Sequence, residues 1–175
     1  MKRTRHTSSQ DKLYIGIDNG VSGTIGAIYG DEVLLIQTPV FSEQNYTKKK
    51  GNITRVDYHK LLVWIRDLKN TYNPASTFCL IERPMVNPGR FAATISAIRA
   101  LEATLLIIER LGLPYQYIDS REWQKALLPV GSKKEQLKSD SMDMGIRLFP
   151  QFKEQIRKHK DADGLLMAEY CRRYF

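Results

Sequence analysis

The sequence predicts an α/β domain: a mixed sheet of about five strands flanked by helices. Two observations carry this expectation. Short apolar runs of strand length alternate with longer segments whose apolar residues recur at helical spacing, the order produced when helices cover a sheet. The first three runs also follow one another across tight turns, as a meander does, whereas the later ones are separated by helices. With 175 residues, the chain suits one compact domain and leaves little room for a second.

The elements follow in order. Residues 13–18, Leu-Tyr-Ile-Gly-Ile-Asp, read as a strand, and 24–29 as its neighbour across the turn Asn19-Gly20-Val21-Ser22-Gly23. Asp31-Glu32 turns the chain again into 33–38. The polar stretch 41–56, with Lys48-Lys49-Lys50-Gly51, is expected to be an exposed loop. Asp57 suits the cap of a helix whose Leu61, Leu62, Ile65 and Leu68 recur at helical spacing. Asn73-Pro74 ends it, and Thr77-Phe78-Cys79-Leu80-Ile81 is the next strand, closing at Glu82. After Pro84 and Pro88-Gly89 comes a long helix over 91–110, stopped by Gly112. Residues 115–118 are strand-like, 121–127 a short helix, 133–149 an amphipathic helix ended by Pro150, and a last helix starts near Asp161 or Asp163.

Composition narrows the function. The chain is 42% hydrophobic, enough for a core, which argues against wholesale disorder. The formal net charge of +8 suggests an anionic partner, although solubility alone also explains it. Cys79 and Cys171 are far apart with no ligand cluster near either, which indicates neither a disulfide framework nor structural zinc but two reduced thiols in an intracellular protein. Residues 1–12 read as a flexible basic arm and 13–175 as the folded domain. No apolar run behind the basic start is long enough for a signal peptide or a membrane span, so no membrane partner is expected.

Three carboxylates stand at polar edges of apolar elements: Asp18 after the first strand, Glu82 after the strand at 77–81, and Asp163 at the head of the last helix. If the fold gathers them, their like charges repel in a partly buried pocket, and a divalent cation offsets that repulsion. Hard oxygen ligands favour Mg²⁺ or Mn²⁺ over zinc. Taken singly, the same acids serve as turn residues and helix caps, and Asp163 in particular suits an N-terminal cap. Asp161 and His159 lie close enough to Asp163 to join it.

Ile15-Gly16-Ile17-Asp18, Ile81-Glu82 with its loop and long helix, and Asp161-Ala162-Asp163-Gly164-Leu165-Leu166-Met167-Ala168 together resemble the RuvC-type Holliday-junction resolvases of the RNase H-like nuclease superfamily. The segment Leu113–Ile118 followed by Arg121-Glu122-Trp123-Gln124-Lys125 is similar to the family's lead into its basic region. The resemblance covers most of 13–172, with 41–56 a poor match. It implies an RNase H-like mixed five-stranded fold. It also implies Asp18, Glu82 and Asp163 as Mg²⁺ ligands, two ions per site with Mn²⁺ able to substitute, and a homodimer that nicks four-way DNA junctions symmetrically. The family's fourth ligand usually lies three positions before the last aspartate, where this chain has Lys160. Lysine cannot ligate as a carboxylate does; Asp161 is the preferred replacement and His159 the alternative.

Lys125, Lys133, Lys134 and Lys138 form a basic stretch suited to phosphate contacts, or to a solvated helix face. By resemblance, Lys125 and Lys134 correspond to the basic residues beside the cleaved phosphate, which adds Lys134 to the catalytic set. Arg83 and Arg90 suit phosphate clamping, and Phe91 either stacks on an exposed base or packs under its helix. The alanine-rich helix 91–110 suits either a two-fold interface or burial on its own sheet, and Trp64 and Trp123 suit packing. Two other functions fit the same residues: a ribonuclease H-like enzyme acting on RNA–DNA hybrids, and a junction-binding protein without catalysis, which the Lys160 departure favours. An actin-like ATPase is disfavoured, since that fold normally requires two related domains, more chain than 175 residues supply.

Overall fold

The computed structural model describes residues 11–46, 48 and 50–175, so the expected basic arm falls almost entirely outside the described residues, as does Lys49. Three strands open the fold: β1 (Lys12–Ile17), β2 (Thr24–Tyr29) and β3 (Glu32–Gln37). They are followed by β4 (Val40–Gln44), β5 (Asn52–Val56), α1 (Tyr58–Tyr72), β6 (Ser76–Glu82), α2 (Phe91–Arg110) and β7 (Tyr115–Ile118). Four helices complete it: α3 (Ser120–Leu127), α4 (Leu137–Leu148), α5 (Lys153–His159) and α6 (Asp163–Tyr174).

The expected mixed five-stranded sheet has the order β3-β2-β1-β6-β7. β2 runs antiparallel to both β1 and β3, and β6 runs parallel to both β1 and β7. Strand alternation divides the core. Leu13, Ile15 and Ile17 of β1 face one side, where Leu61 and Ile65 of α1 and Ala100, Ile107 and Ile108 of α2 cover them. Tyr14 faces the other side, with Trp123 of α3 and Leu166, Met167 and Tyr170 of α6. Both layers end at the C-terminal edge of β1 and β6, which is where Asp18 and Glu82 stand.

Helix α6 lies unusually close to the sheet. A Cβ added to Gly16 meets the Ala168 nitrogen at 2.2 Å, one added to Gly26 meets the Gly164 oxygen at 2.5 Å, and one added to Gly164 meets the Thr24 oxygen at 2.5 Å. Gly16 and Gly26 are also register partners across β1 and β2. These three positions exclude side chains, so helix and strand meet backbone to backbone.

Three sequence expectations are corrected. Residues 41–56 are not a loop: β4 and β5 pair antiparallel as a separate hairpin, with Val40 opposite Val56 and Phe41 opposite Arg55. Cross-strand contacts outweigh the polar composition, with an Arg55–Glu43 ion pair of 2.7 Å and the Arg55 guanidinium 5.7 Å from the Phe41 ring. Helix α4 starts at Leu137 rather than at 133, because Lys133 to Gln136 form a turn in which the Lys133 carbonyl accepts from Gln136 and Leu137. Beyond Pro150, an additional helix, α5, ends at Lys160 in the left-handed conformation (φ 53°).

Helix α2 matches its expected span. Among the described residues, Pro88–Arg110 is the one helical segment long and apolar enough to cross a bilayer. In the fold, its Ala100, Thr104, Ile107 and Ile108 are buried, while Ile98 and Leu106 on another side remain 43% and 51% exposed.

Candidate metal centre

Three loop or edge positions bring the acids together. Asp18 leaves β1 with its N–H donating to the Thr24 carbonyl at 3.1 Å, so the start of β2 fixes its backbone. Asp161 occupies the short turn between α5 and α6, and Asp163 is the first residue of α6. Asp18, Asp161 and Asp163 each offer a carboxylate oxygen within 4.8 Å of the others. Glu82, the last residue of β6, lies outside that tight group, although its charge is felt by Asp18.

Hydrogen bonds hold one oxygen of three of these acids. Asp161 Oδ1 accepts from the Thr24 hydroxyl at 3.2 Å and from the Asp163 N–H at 2.7 Å. Asp163 Oδ1 accepts from the buried Ser141 hydroxyl of α4. Glu82 Oε2 accepts from the Trp123 indole N–H at 3.3 Å. Asp161 and Asp163 each offer one carboxylate oxygen to the tight group. The Asp163 N–H therefore caps onto Asp161, and the Asp163 side chain is not itself consumed as a cap.

The electrostatics are those of a site short of positive charge. Burial, then Asp161, Glu82 and Asp163, pushes Asp18 well above the usual carboxylate range. Burial, and next the charge of Asp163, raises Glu82 to about 7 despite the opposing Trp123 hydrogen bond. Burial and Asp161 raise Asp163 to about 6, against the pull of Ser141 and Lys138. Several carboxylates that resist ionisation together, all hard oxygen donors, fit a divalent cation such as Mg²⁺ or Mn²⁺. Asp18, Asp161 and Asp163 would hold it, with Glu82 at the margin.

Asp18, Asp161 and Asp163 open into a cleft of about 430 Å³ that is also lined by His159 and by the cationic side chains of Lys134, Lys138 and Lys160. His159 lines this cleft, while Asp161 is the residue in the tight acid group. Lys125 lines a neighbouring groove with Arg83 and Arg121. Arg83 is partly engaged there, 3.7 Å from Asp119 and 6.0 Å from the Tyr117 ring. Lys133 and Arg90 are exposed outside the cleft. Phe91 is 73% exposed, so the alternative of packing under its helix is not realised. A second cleft of about 490 Å³, between the β4–β5 hairpin and α2, contains none of the four acids.

Sequence reasoning missed Thr24 and Ser141. A hydroxyl in an apolar run reads as an ordinary core position, and its partner, distant in sequence, leaves no local signal. Trp123, expected to pack, does so at 0% exposure and also donates to Glu82.

No protein-family model matches the chain, and no curated protein matches it in sequence. Solved structures do match its fold. T. thermophilus RuvC in complex with Holliday junction substrate is similar with a TM-score of 0.54 and 15% identity, over 90% of each chain. Another Thermus thermophilus RuvC structure gives 0.48 and 15% over 92% of this chain and 96% of that one. The yeast mitochondrial Holliday junction resolvase Ydc2 gives 0.42 and 14% over 97% and 82%. The first of these matches agrees with the RNase H-like architecture described above.

Proposed function

We propose that this protein is a metal-dependent nuclease that resolves four-way DNA junctions by paired symmetric nicks. The observation that carries the metal-dependent part is the meeting of Asp18, Asp161 and Asp163 within 4.8 Å at the sheet edge. The fold shared with RuvC supports the choice of substrate.

Asp18, Asp161, Asp163 and Glu82 hold the cations, two per site in this reading, with Mg²⁺ the usual ion and Mn²⁺ a substitute. When bound, such ions favour attack by water on the phosphodiester and stabilise the leaving oxygen. Lys134 and Lys138, on the cleft rim, receive the phosphate and offset charge developing on it. Lys125, Arg83 and Arg121 extend the cationic path along the neighbouring groove, and Lys133 and Arg90 add phosphate contacts at its edges. Phe91, exposed beside Arg90, is placed to stack on an unpaired base. A homodimer supplies the second nick. Ile98 and Leu106, exposed on α2, supply an apolar face for it. An intracellular setting belongs to the same reading, supported by the buried thiols Cys79 and Cys171.

The test is a cleavage assay on four-way, duplex and RNA–DNA hybrid substrates with Mg²⁺, with Mn²⁺ and with excess EDTA. Symmetric nicks in the four-way substrate, abolished by EDTA, are expected. Preferential cutting of the hybrid selects a ribonuclease H-like enzyme instead. Salt-sensitive junction binding without turnover selects a noncatalytic binding protein.

A further inference from the structure

The three acids of the tight group come from two separate pieces of chain, and one residue touches both. Thr24, at the head of β2, has no solvent exposure. Its carbonyl accepts from the Asp18 N–H at 3.1 Å. Its hydroxyl oxygen accepts from the Gly164 N–H at 3.1 Å and stands 3.2 Å from Asp161 Oδ1. An amide N–H can only donate, so the single hydroxyl proton is left for Asp161. The direction of both bonds is thereby fixed. Gly164 is also the position where an added Cβ meets the Thr24 carbonyl at 2.5 Å, so helix and strand cannot slide without breaking this arrangement.

From this geometry we infer that Thr24 is a positioning residue for the metal centre: its hydroxyl registers the Asp161–Asp163 end of α6 against Asp18 and orients Asp161, the carboxylate standing beside the Lys160 departure. The inference deepens the metal-site reading and rests on it. Partners that orient ligands in this way commonly change metal affinity by about 10- to 100-fold when removed. Valine closely matches threonine in shape but lacks both the donor and the acceptor. Serine keeps both and loses only a methyl group.

The experiment is Mn²⁺ binding to the full chain without nucleic acid, read from the electron paramagnetic resonance signal of the free ion. Unfolding midpoints of the metal-free proteins, measured alongside, confirm that each variant is folded at the titration temperature. Thr24→Val is expected to weaken binding at least about tenfold, and Thr24→Ser to stay within about threefold of the unmodified chain. Thr24→Val is expected to cost less in the Asp161→Asn background than in the unmodified chain, because part of the hydroxyl's effect runs through Asp161. Should valine not fold, Thr24→Cys, a weaker donor of similar size, is expected to fall between serine and the unoriented Asp161→Asn. Binding by the valine or cysteine variant equal to that of the unmodified chain overturns the inference, as does serine behaving like valine. Additive losses in the double variant also overturn it. Absence of Mn²⁺ binding by the unmodified chain overturns the metal-site reading itself, a separate result.

Discussion

Trp123 donates its indole N–H to Glu82 Oε2 across 3.3 Å, from a side chain with no solvent exposure. Helix α3 is thus tied to the end of β6 through the acid rather than through apolar contact alone. This bond opposes the burial that lifts Glu82 to about 7. Trp123→Phe keeps most of the packing and removes the donor, so Glu82 should ionise at higher pH. The pH at which Mg²⁺ binding to the metal-free protein sets in is expected to move upward by about half a unit or more. An unmoved onset would mean that Glu82 does not govern it.

Asp18 belongs to the tight acid group and feels the charges of Asp161, Glu82 and Asp163. Asp18→Asn keeps the shape and removes the charge, so cleavage should fall by about a thousandfold or more, corresponding to several kcal/mol of transition-state stabilisation. Junction affinity in a gel-shift assay should persist, because the cationic rim is intact. Loss of affinity in parallel with cleavage would place Asp18 in binding instead.

Asp161 and His159 are the two candidates for a further ligand beside Asp163. Because Asp161 sits in the acid group and His159 on the cleft lining, Asp161→Asn should lose more metal-dependent turnover than His159→Gln, by about tenfold. The reverse order, with folding and junction affinity unchanged, would reassign the ligand.

Raised acids make stability depend on pH with a definite sign. Asp18, Glu82 and Asp163 hold protons in the folded state at pH values where the unfolded chain has lost them. Folded-state stability of the metal-free protein should therefore decline as pH rises from the ordinary carboxylate range to about 7. Divalent cation should restore it, and more at about pH 8 than at about pH 5, because the cation binds the ionised acids. Thermal unfolding with Mg²⁺ and with EDTA at both pH values measures the difference; equal stabilisation at the two would contradict the assignment.

The two basic positions expected beside the phosphate are separated by the structure. Lys134 lines the acid cleft, and Lys125 lines the neighbouring groove. Lys134→Ala is expected to lower the cleavage rate about tenfold or more with little loss of binding. Lys125→Ala should weaken binding and reduce the salt slope by about one phosphate contact. Interchanged effects would reverse the two roles.

Much of the layered fold was legible because apolar periodicity and turn chemistry act locally. The β1–β3 meander, α1 with its Asp57 cap, and α2 over its full length all follow from neighbours within a few residues. The β4–β5 hairpin escaped because its stability lies in pairs across the hairpin, such as Arg55 with Glu43, and composition does not display pairs. At the centre, the acids were visible as polar residues at strand ends and at a helix start. The hydroxyls that orient them were not, since the Thr24 to Asp161 contact spans 137 residues.

The glycine seam between α6 and the first two strands has a broader consequence. With backbone against backbone at Gly16, Gly26 and Gly164, the helix bearing Asp163 has no side-chain cushion through which to drift. Variation that leaves this seam intact is confined to peripheral segments, such as the residue 83–90 loop or the turn before α4, while the acids stay anchored where they are.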